Sequence, residues 1–438
     1  MFASFARSQR QPVPPELRSN FHHLYWDIGW FGVLNGSALT FLTVYATRLG
    51  GDAFQIGMLT AGPAIINLIA TLPSGRWLES RPIGPAAFWT SVFYRIFYIL
   101  WIIIPSLLLP QAQLWVFILV TLAMSLPGTA LAVAFNTLFA DAVPAEWRPH
   151  VTGVRNAILS VTFIITSLIC GLLLDNAPFP LSYQIVFALG ALGALMSSVH
   201  LFFVRPMEDG RQQRAGRWYR LGDLAFPGRI QGVTDQARIT VGLRFLTRSR
   251  GKNMLRLEIL QTPFQAVLFG LFAFHFAQYL AIPLFPLAWV NKLGFSDGLI
   301  SQGQALFYAA VFLGSTQLSR ITQRLGNQRV TALGIMLLAG YPVVTAVMQG
   351  PLLYLLVSLL GGLGWSLAGG GIANYLLERI PDNDRPAHLA WYNLALNAAI
   401  LLGSLLGPLL ADWLGLTVAL LITALARGLS SVLVWRKG

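Results

Sequence analysis

The sequence predicts an all-α membrane protein of twelve spans, arranged as two repeated six-helix halves, and three observations predict it. Hydrophobic residues make up 55% of the chain and charged residues only 11%, with a mean hydropathy of +0.63. A soluble domain carries about 25% charged residues, so too few charges remain here to cover a water-facing surface, and lipid must be the solvent for most of the chain. Apolar runs of the roughly 20 residues needed to cross a hydrocarbon core recur along the sequence. One stretch of the first half also repeats in the second.

The apolar runs fall at 24–47, 54–73, 85–109, 112–140, 151–174, 181–204, 264–290, 298–319, 329–348, 350–377, 387–411 and 414–435. Several contain Gly and Pro, which helices in lipid tolerate better than helices in water. Residues 1–20 are polar and basic, and the run that follows is long enough to span. The N-terminus therefore reads as mature sequence, with no cleavable signal.

A net charge of +13 does not mark a nucleic-acid binder, because the basic residues sit between apolar runs and form no folded polar face. With the N-terminus inside, the inner segments hold 26 of the 30 Lys and Arg residues, and the outer loops hold two, Arg48 and Lys292. Arg95 and Arg427 fall within spans. This asymmetry predicts a multi-pass cell-membrane protein with both termini cytoplasmic. The longest inner segment, 205–262, carries twelve of the basic residues, among them Arg244, Arg248, Arg250, Lys252 and Arg256, interleaved with Leu243, Phe245, Leu246, Leu255 and Leu257. Such a stretch is expected to be partly helical and to lie on anionic headgroups; a solvated linker is the alternative. The expected organisation is an N-terminal six-helix half at 1–204, this linker at 205–262, and a C-terminal six-helix half at 263–438.

The repeat is the strongest organisational signal. Residues 144–175 align with 381–412 at an ungapped offset of 237, with ten of 32 positions identical. Pro144/Pro381, Arg148/Arg385, Pro149/Pro386, Asn156/Asn393, Ser167/Ser404 and Asp175/Asp412 are among them. Two leucine-rich spans match at leucines by chance; they rarely also match Pro, Arg, Asn and Asp in one register. Each copy joins a fourth to a fifth span, or a tenth to an eleventh, so the repeats run parallel. Parallel repeats imply a pseudo-two-fold axis along the membrane normal and a site between the halves at mid-depth.

On these features the chain resembles the major facilitator superfamily over essentially its full length. The twelve spans, the long loop after span six, and the Pro-x-x-x-Arg loops at Pro144–Arg148 and Pro381–Arg385 all fit. The resemblance implies two parallel six-helix bundles and a secondary transporter, not an enzyme, that moves a small organic solute by alternating access. It also implies gating residues. The loop after span two reads Gly75-Arg76-Trp77-Leu78-Glu79-Ser80-Arg81-Pro82, with Glu79 where the family carries an Asp and no terminal basic pair; Ser319–Gly326 is similarly degenerate. In the family the acid latches onto the start of span eleven, where an anion gains roughly 0.3–1 kcal/mol from the helix N-terminus. Glu79, Arg81, Arg148 and Arg385 are the gating candidates. The alternative for Glu79 is simple charge balance with Arg76 and Arg81.

Charges inside spans are costly and usually functional. Arg95 lies ten residues into span three, about 15 Å deep, among Phe93, Tyr94, Phe97 and Tyr98. Asp27 lies only about 5 Å into span one, so the two side chains could meet directly or through water. Two readings stand. Asp27 takes up and releases a proton while Arg95 tunes it or binds an anion, or Asp27 caps span one and Arg95 ties helices together. Arg427, closer to the cytoplasmic face, is expected to snorkel. His275 is near mid-depth in span seven, with Gln278 and Tyr279 on the same helical face, and is suited to a polar contact or a proton relay. The resemblance makes spans one, four, seven and ten line the cavity, which adds Asn35, Asn136, Trp365 and Asn374, with Trp30, Tyr45 and Tyr375 as a further aromatic path.

Several classes drop out. The single cysteine, Cys170, excludes an intrachain disulfide and a cysteine metal site. His22 and His23 have no paired carboxylate nearby in sequence, so no metal is expected. No G-x-x-x-x-G-K-[ST] loop occurs, so neither a nucleotide cofactor nor an ATP-driven pump is supported. The arginine in span four of the family's proton–drug antiporters is missing, and so is the Pro-Glu-Ser-Pro-Arg signature of its sugar porters. Sparse buried charges and many aromatics favour an amphipathic substrate, with proton-coupled export the first expectation; uptake of a neutral nutrient such as a sugar comes second, and a transport-dead sensor or scaffold third. A monomer is expected.

Overall fold

The computed structural model describes residues 13–79, 81–144, 146–207, 257–381 and 385–437. The linker residues expected to lie on headgroups fall outside the described residues, apart from a single turn at Leu257–Gln261. Among the described residues the regular structure is helical. In chain order we label α1 Pro15–Arg48, α2 Ala53–Glu79, α3 Ile83–Leu107, α4 Pro110–Ala142, α5 Arg148–Asn176 and α6 Leu181–Phe203. The second half holds α7 Phe264–Lys292, α8 Asp297–Leu325, α9 Asn327–Val347, α10 Pro351–Arg379, α11 Arg385–Leu414 and α12 Leu416–Lys437.

Local chemistry sets many of the ends. Pro110 and Pro351 begin α4 and α10, where a missing N–H costs nothing and the ring presets the helical φ. Ser296 caps α8 by accepting from the Leu299 N–H at 3.2 Å. Gly326 and Gly415, at φ of 80° and 83°, reverse the chain in one residue between α8 and α9 and between α11 and α12, a conformation open to glycine at little cost. α1 starts nine residues before the apolar run does. Pro15 opens it, and its first two turns carry Glu16, Arg18, Asn20 and His22, which an apolar count passes over. Leu17, Phe21 and Leu24 nonetheless bury one face of those turns. Asp27 therefore stands well inside α1, and the reading that it caps the helix start is wrong. α1 widens into a π turn at Asn35–Leu39, and α3 is interrupted at Ile96, directly after Arg95.

Eleven helical segments among the described residues are long and apolar enough to cross a membrane. The expected eighth span, α8, is continuous over 29 residues, about 43 Å, but Gln302, Gln304, Gln317, Arg320, Gln323 and Arg324 make it too polar to count with the others by composition.

The helices pack as the same pattern twice. α1 lies against α5 and α6, and α4 against α2 and α3; α7 lies against α11 and α12, and α10 against α8 and α9. Across the halves α2 meets α11 and α5 meets α8. This is two parallel six-helix bundles about a pseudo-two-fold axis. One end of the molecule, the basic face, carries the starts of α1 and α7 and the ends of α6 and α12. Towards the opposite face lies an aromatic core of Tyr45, Trp101, Phe117, Tyr183 and Phe187. Tyr45 is fully buried there and donates to Gln113 Oε1 at 2.5 Å, so it packs the core and lines no path.

Candidate functional site

Three groups of polar residues stand out inside the bundle. The first ties α1 to α5. Arg155, in the second turn of α5, donates from Nη1 and Nη2 to Asp27 Oδ2, each at 3.1 Å, and from Nη1 to the Leu24 carbonyl at 2.5 Å. Ser197 on α6 donates to Asp27 Oδ1 at 2.5 Å. Arg95 approaches the same oxygen at 3.9 Å and donates to Ser198 at 3.1 Å. Asp27, Arg95 and Arg155 are all buried. The Arg155 guanidinium also lies 5.0 Å from the centre of the Phe135 ring, within cation–π range. The expected Asp27–Arg95 approach is present, but it is the weaker arm of a three-charge cluster. Sequence reasoning assigned Arg155 to a cytoplasmic loop because it sits at the edge of the apolar run; a basic residue one turn inside a helix was the available signal. Arg95 joins α3 to α1 and α6.

The second group lies in the other half. His275 Nε2 on α7 and Tyr392 Oη on α11 are hydrogen-bonded at 2.9 Å. His275 and Tyr279 both turn toward α11, Tyr279 against Gly403. The Gln278 backbone carbonyl accepts from Arg427 Nη2 at 3.3 Å, and its side-chain Oε1 is buried without a partner. Asn393 Oδ1 and Asn397 Oδ1 on α11 are likewise buried and unpartnered, and Asn393 borders a cavity of about 30 Å³ between α10 and α11. Arg427 does not snorkel. It is 1% exposed, donates to the Leu338 carbonyl at 2.9 Å, and lies 5.8 Å from the centre of the Phe285 ring. Backbone carbonyls on α9 and α7 take the place of water for this cation. Asn35 donates to the Phe31 carbonyl at 3.0 Å within its own helix. Asn136, Trp365 and Asn374 are half-buried on α4 and α10.

The third group was not anticipated and joins the two halves at the face opposite the basic one. Arg48 at the end of α1 pairs with Asp297 Oδ1 at 3.0 Å and donates to the Phe295 carbonyl at 2.5 Å. Tyr183 donates to Asp297 Oδ2 at 2.7 Å. Asp175, the last acid of α5, accepts the Gly298 N–H at 2.9 Å and the Ser296 hydroxyl at 3.1 Å. A carboxylate from one half thus seats on the N-terminus of a helix in the other, where free N–H groups and the helix dipole favour an anion. A Cβ at 298 would stand 2.0 Å from Asp175 Oδ2, so a larger residue there would displace the carboxylate from its seat. Below it the rings of Phe163 and Tyr308 pack at 3.8 Å between centres. These groups were legible only as loop charges, because nothing in sequence pairs 48 with 297.

Of the gating candidates, Arg148 donates to the Ala140 and Val143 carbonyls at 2.8 and 3.1 Å, completing the end of α4. Arg81 is exposed and lies 4.8 Å from the centre of the Trp77 ring. The side chains of Glu79 and Arg385 lie outside what the structure describes.

Two six-helix bundles joined by parallel repeats, with charges buried between apolar helices, define a polytopic carrier. The Major Facilitator Superfamily profile matches residues 28–260 and 267–437, and the chain belongs to that superfamily. It is a multi-pass membrane protein that serves secondary transport of a small-molecule substrate, and it is not an enzyme. No curated protein matches it in sequence. Solved structures resemble it at low identity. The nucleoside transporter NupG superposes with a TM-score of 0.66 at 14% identity, covering 97% of this chain and 98% of that one. The E. coli xylose transporter XylE, in a partially occluded inward open conformation, gives 0.67 at 14% identity with the same two coverages of 97% and 98%. The human organic anion transporter MFSD10 gives 0.56 at 13% identity, over 96% of this chain and all of that one.

Proposed function

We propose that this chain carries an uncharged, amphipathic organic solute, and that the form described here is shut on the Asp297 face and accessible from the basic face. Charge asymmetry supports placing the basic face, with both termini, in the cytoplasm. The cross-half network at Arg48, Asp175 and Asp297 supports closure of the other side, and a carrier shut on one face is loaded from the other.

The observation that carries the substrate class is how the buried charges are satisfied. Asp27 answers Arg155 and Arg95, and Arg427 is answered by carbonyls. Among the buried atoms left without a partner are the amide oxygens of Gln278, Asn393 and Asn397, together with donors such as Arg95 Nε and Arg427 Nε, and the amide oxygens lie beside aromatic and aliphatic surface. Such a surface suits an apolar body bearing hydrogen-bond donors, because buried acceptors cost free energy until they are paired. Asn35, Asn136, Tyr279, Trp365 and Asn374 are the neighbouring contacts we assign to the path. Amphipathic export and uptake of a neutral nutrient both fit. The second is favoured by the amide oxygens, and two of the structural neighbours are named as nucleoside and xylose transporters.

Proton coupling through Asp27 is the weaker part of the earlier expectation. Protonating Asp27 would leave two buried guanidinium groups without a counter-ion, a costly step to repeat each cycle. We assign Asp27 a positioning role and leave coupling, if present, to the His275–Tyr392 pair. The test is a thermal-shift screen of neutral and charged solutes on purified protein, followed by flux into liposomes with and without a pH gradient. Stabilisation confined to anions or cations, with no neutral ligand bound, would overturn the substrate class.

A further inference from the structure

The C-terminal half carries a groove that no part of the transport path uses. It has a volume of about 570 Å³ and is bordered by Gln265 and Phe269 on α7, Trp391, Leu394 and Ala398 on α11, and Leu433 on α12. Packing explains why it exists. Toward the Asp297 face, α7 and α11 touch backbone to backbone, and a Cβ on Gly407 would stand 2.1 Å from the Leu280 carbonyl oxygen. α7 and α12 close up at Gly270, which faces Val434. Beside the second of these approaches, in the half of the molecule nearer the basic face, the three helices leave a gap. The N-terminal half has the same helix arrangement, but there Arg155 draws α5 onto α1 through Leu24 and Asp27.

The groove opens sideways. α11 meets α2 through Ser404 and Pro408, which touch Gly57, and at about 3.6 residues per turn Trp391, Leu394 and Ala398 lie roughly 60–120° around the helix from that contact. Phe269 in its wall is 59% exposed. Bilayer, not solvent, meets that surface. The lining is aliphatic and aromatic apart from the Gln265 amide, which is exposed at the end nearest the basic face. Charge marks the same end. Arg436 is exposed and stands three residues beyond Leu433 on α12, hence on the same helical face. An apolar slot with Trp391 in its wall and an exposed arginine at its basic end matches one lipid geometry, a chain in the slot and an anionic headgroup at the interface.

We propose that this groove holds one acyl chain of an anionic phospholipid from the leaflet on the basic side, with Arg436 against its headgroup. The lipid acts as a packing element of the α7–α11–α12 corner. Native mass spectrometry of the full chain, with dioleoylphosphatidylglycerol and dioleoylphosphatidylcholine added in competition, tests it. One phosphatidylglycerol is expected to stay bound under activation that strips phosphatidylcholine. Arg436→Gln should lower its retention about five-fold, the change one surface cation makes to anionic-lipid binding, and Ala398→Phe, which fills the slot, should abolish it. Ala395→Leu fills less space and guards against a folding failure of the Phe variant. Equal retention of the two lipids by the wild-type chain overturns the proposal, as does retention unchanged in both slot-filling variants. Retention that survives Ala398→Phe but falls when Arg244, Arg248, Arg250, Lys252 and Arg256 become Gln assigns the lipid to the linker, and overturns it too.

Discussion

The two halves tie the same helices together at the same place with different chemistry. Aligned at the offset of 237, Arg155 corresponds to Tyr392. Arg155 holds α5 to α1 through Asp27, and Tyr392 holds α11 to α7 through His275. One tie is a buried ion cluster with Ser197 and Arg95 attached; the other is a hydrogen bond in which one of the two side chains is ordinarily neutral. The position of the tie is therefore what the architecture demands, and the chemistry is free to differ. The energetics differ with it. A buried ion pair adds little net stability over a packed apolar pair, yet removing one partner costs about 3–5 kcal/mol, because a charge is left stranded. A neutral hydrogen bond is worth about 1 kcal/mol.

The largest effect should come from Asp27. Asp27→Asn strands Arg155 and Arg95 together, and we expect a loss of about 3–5 kcal/mol in unfolding of the purified protein by detergent titration. A loss below about 1 kcal/mol would mean the cluster is hydrated, and the contrast with the other half would collapse. The complementary double variant, His275→Asp with Tyr392→Arg, sharpens the same point. Each single change should destabilise, and the pair should recover part of the loss, as coupled neighbours do.

Next comes the closed face, where the comparison is between states. Asp297→Asn removes the charge that Arg48 and Tyr183 share. If the pair contributes about 1.4 kcal/mol, the closed-to-open ratio changes about tenfold. Cys170, the one cysteine of the chain, is buried beside Gly171, which packs on Ser301 of the other half. Its alkylation by N-ethylmaleimide should therefore speed up in Asp297→Asn by a similar factor. An unchanged rate would show that the network does not hold the face shut. Smaller again is Tyr392→Phe, expected to cost about 1 kcal/mol by the same detergent titration. A cost matching that of Asp27→Asn would erase the difference between the halves.

Most of the helices and the repeat were readable because apolar length and a shared register are one-dimensional properties. The polar interior was less so. Arg155 and Arg427 were misplaced for one reason: hydropathy judges a charge by its sequence neighbours, while its fate depends on what another helix brings. Arg155 is compensated from 128 positions away and Arg427 by a carbonyl 89 positions away. α1 was cut short because its first turns bury only one face, which averages out as polar. His275 was conspicuous as a titratable ring in mid-span, but its partner Tyr392 was one aromatic among many.

The smallest expected effect separates register from role. Asp175 and Asp412 are repeat-mates, identical in type and position. Asp175 is seated on the α8 N-terminus by two hydrogen bonds across the halves. Asp412 is exposed at the end of α11, and the corresponding start of α2 is already capped from within, where Asp52 Oδ1 accepts the Gln55 N–H at 2.7 Å. The acid that would complete the symmetric latch finds its seat taken. Asp412→Asn should therefore change stability by no more than about 0.5 kcal/mol, as exposed substitutions usually do, and leave Cys170 alkylation at the wild-type rate. Asp175→Asn should raise that rate. Equal responses from the two would mean that both sides of the face are latched, and that the asymmetry between the halves stops at their buried ties.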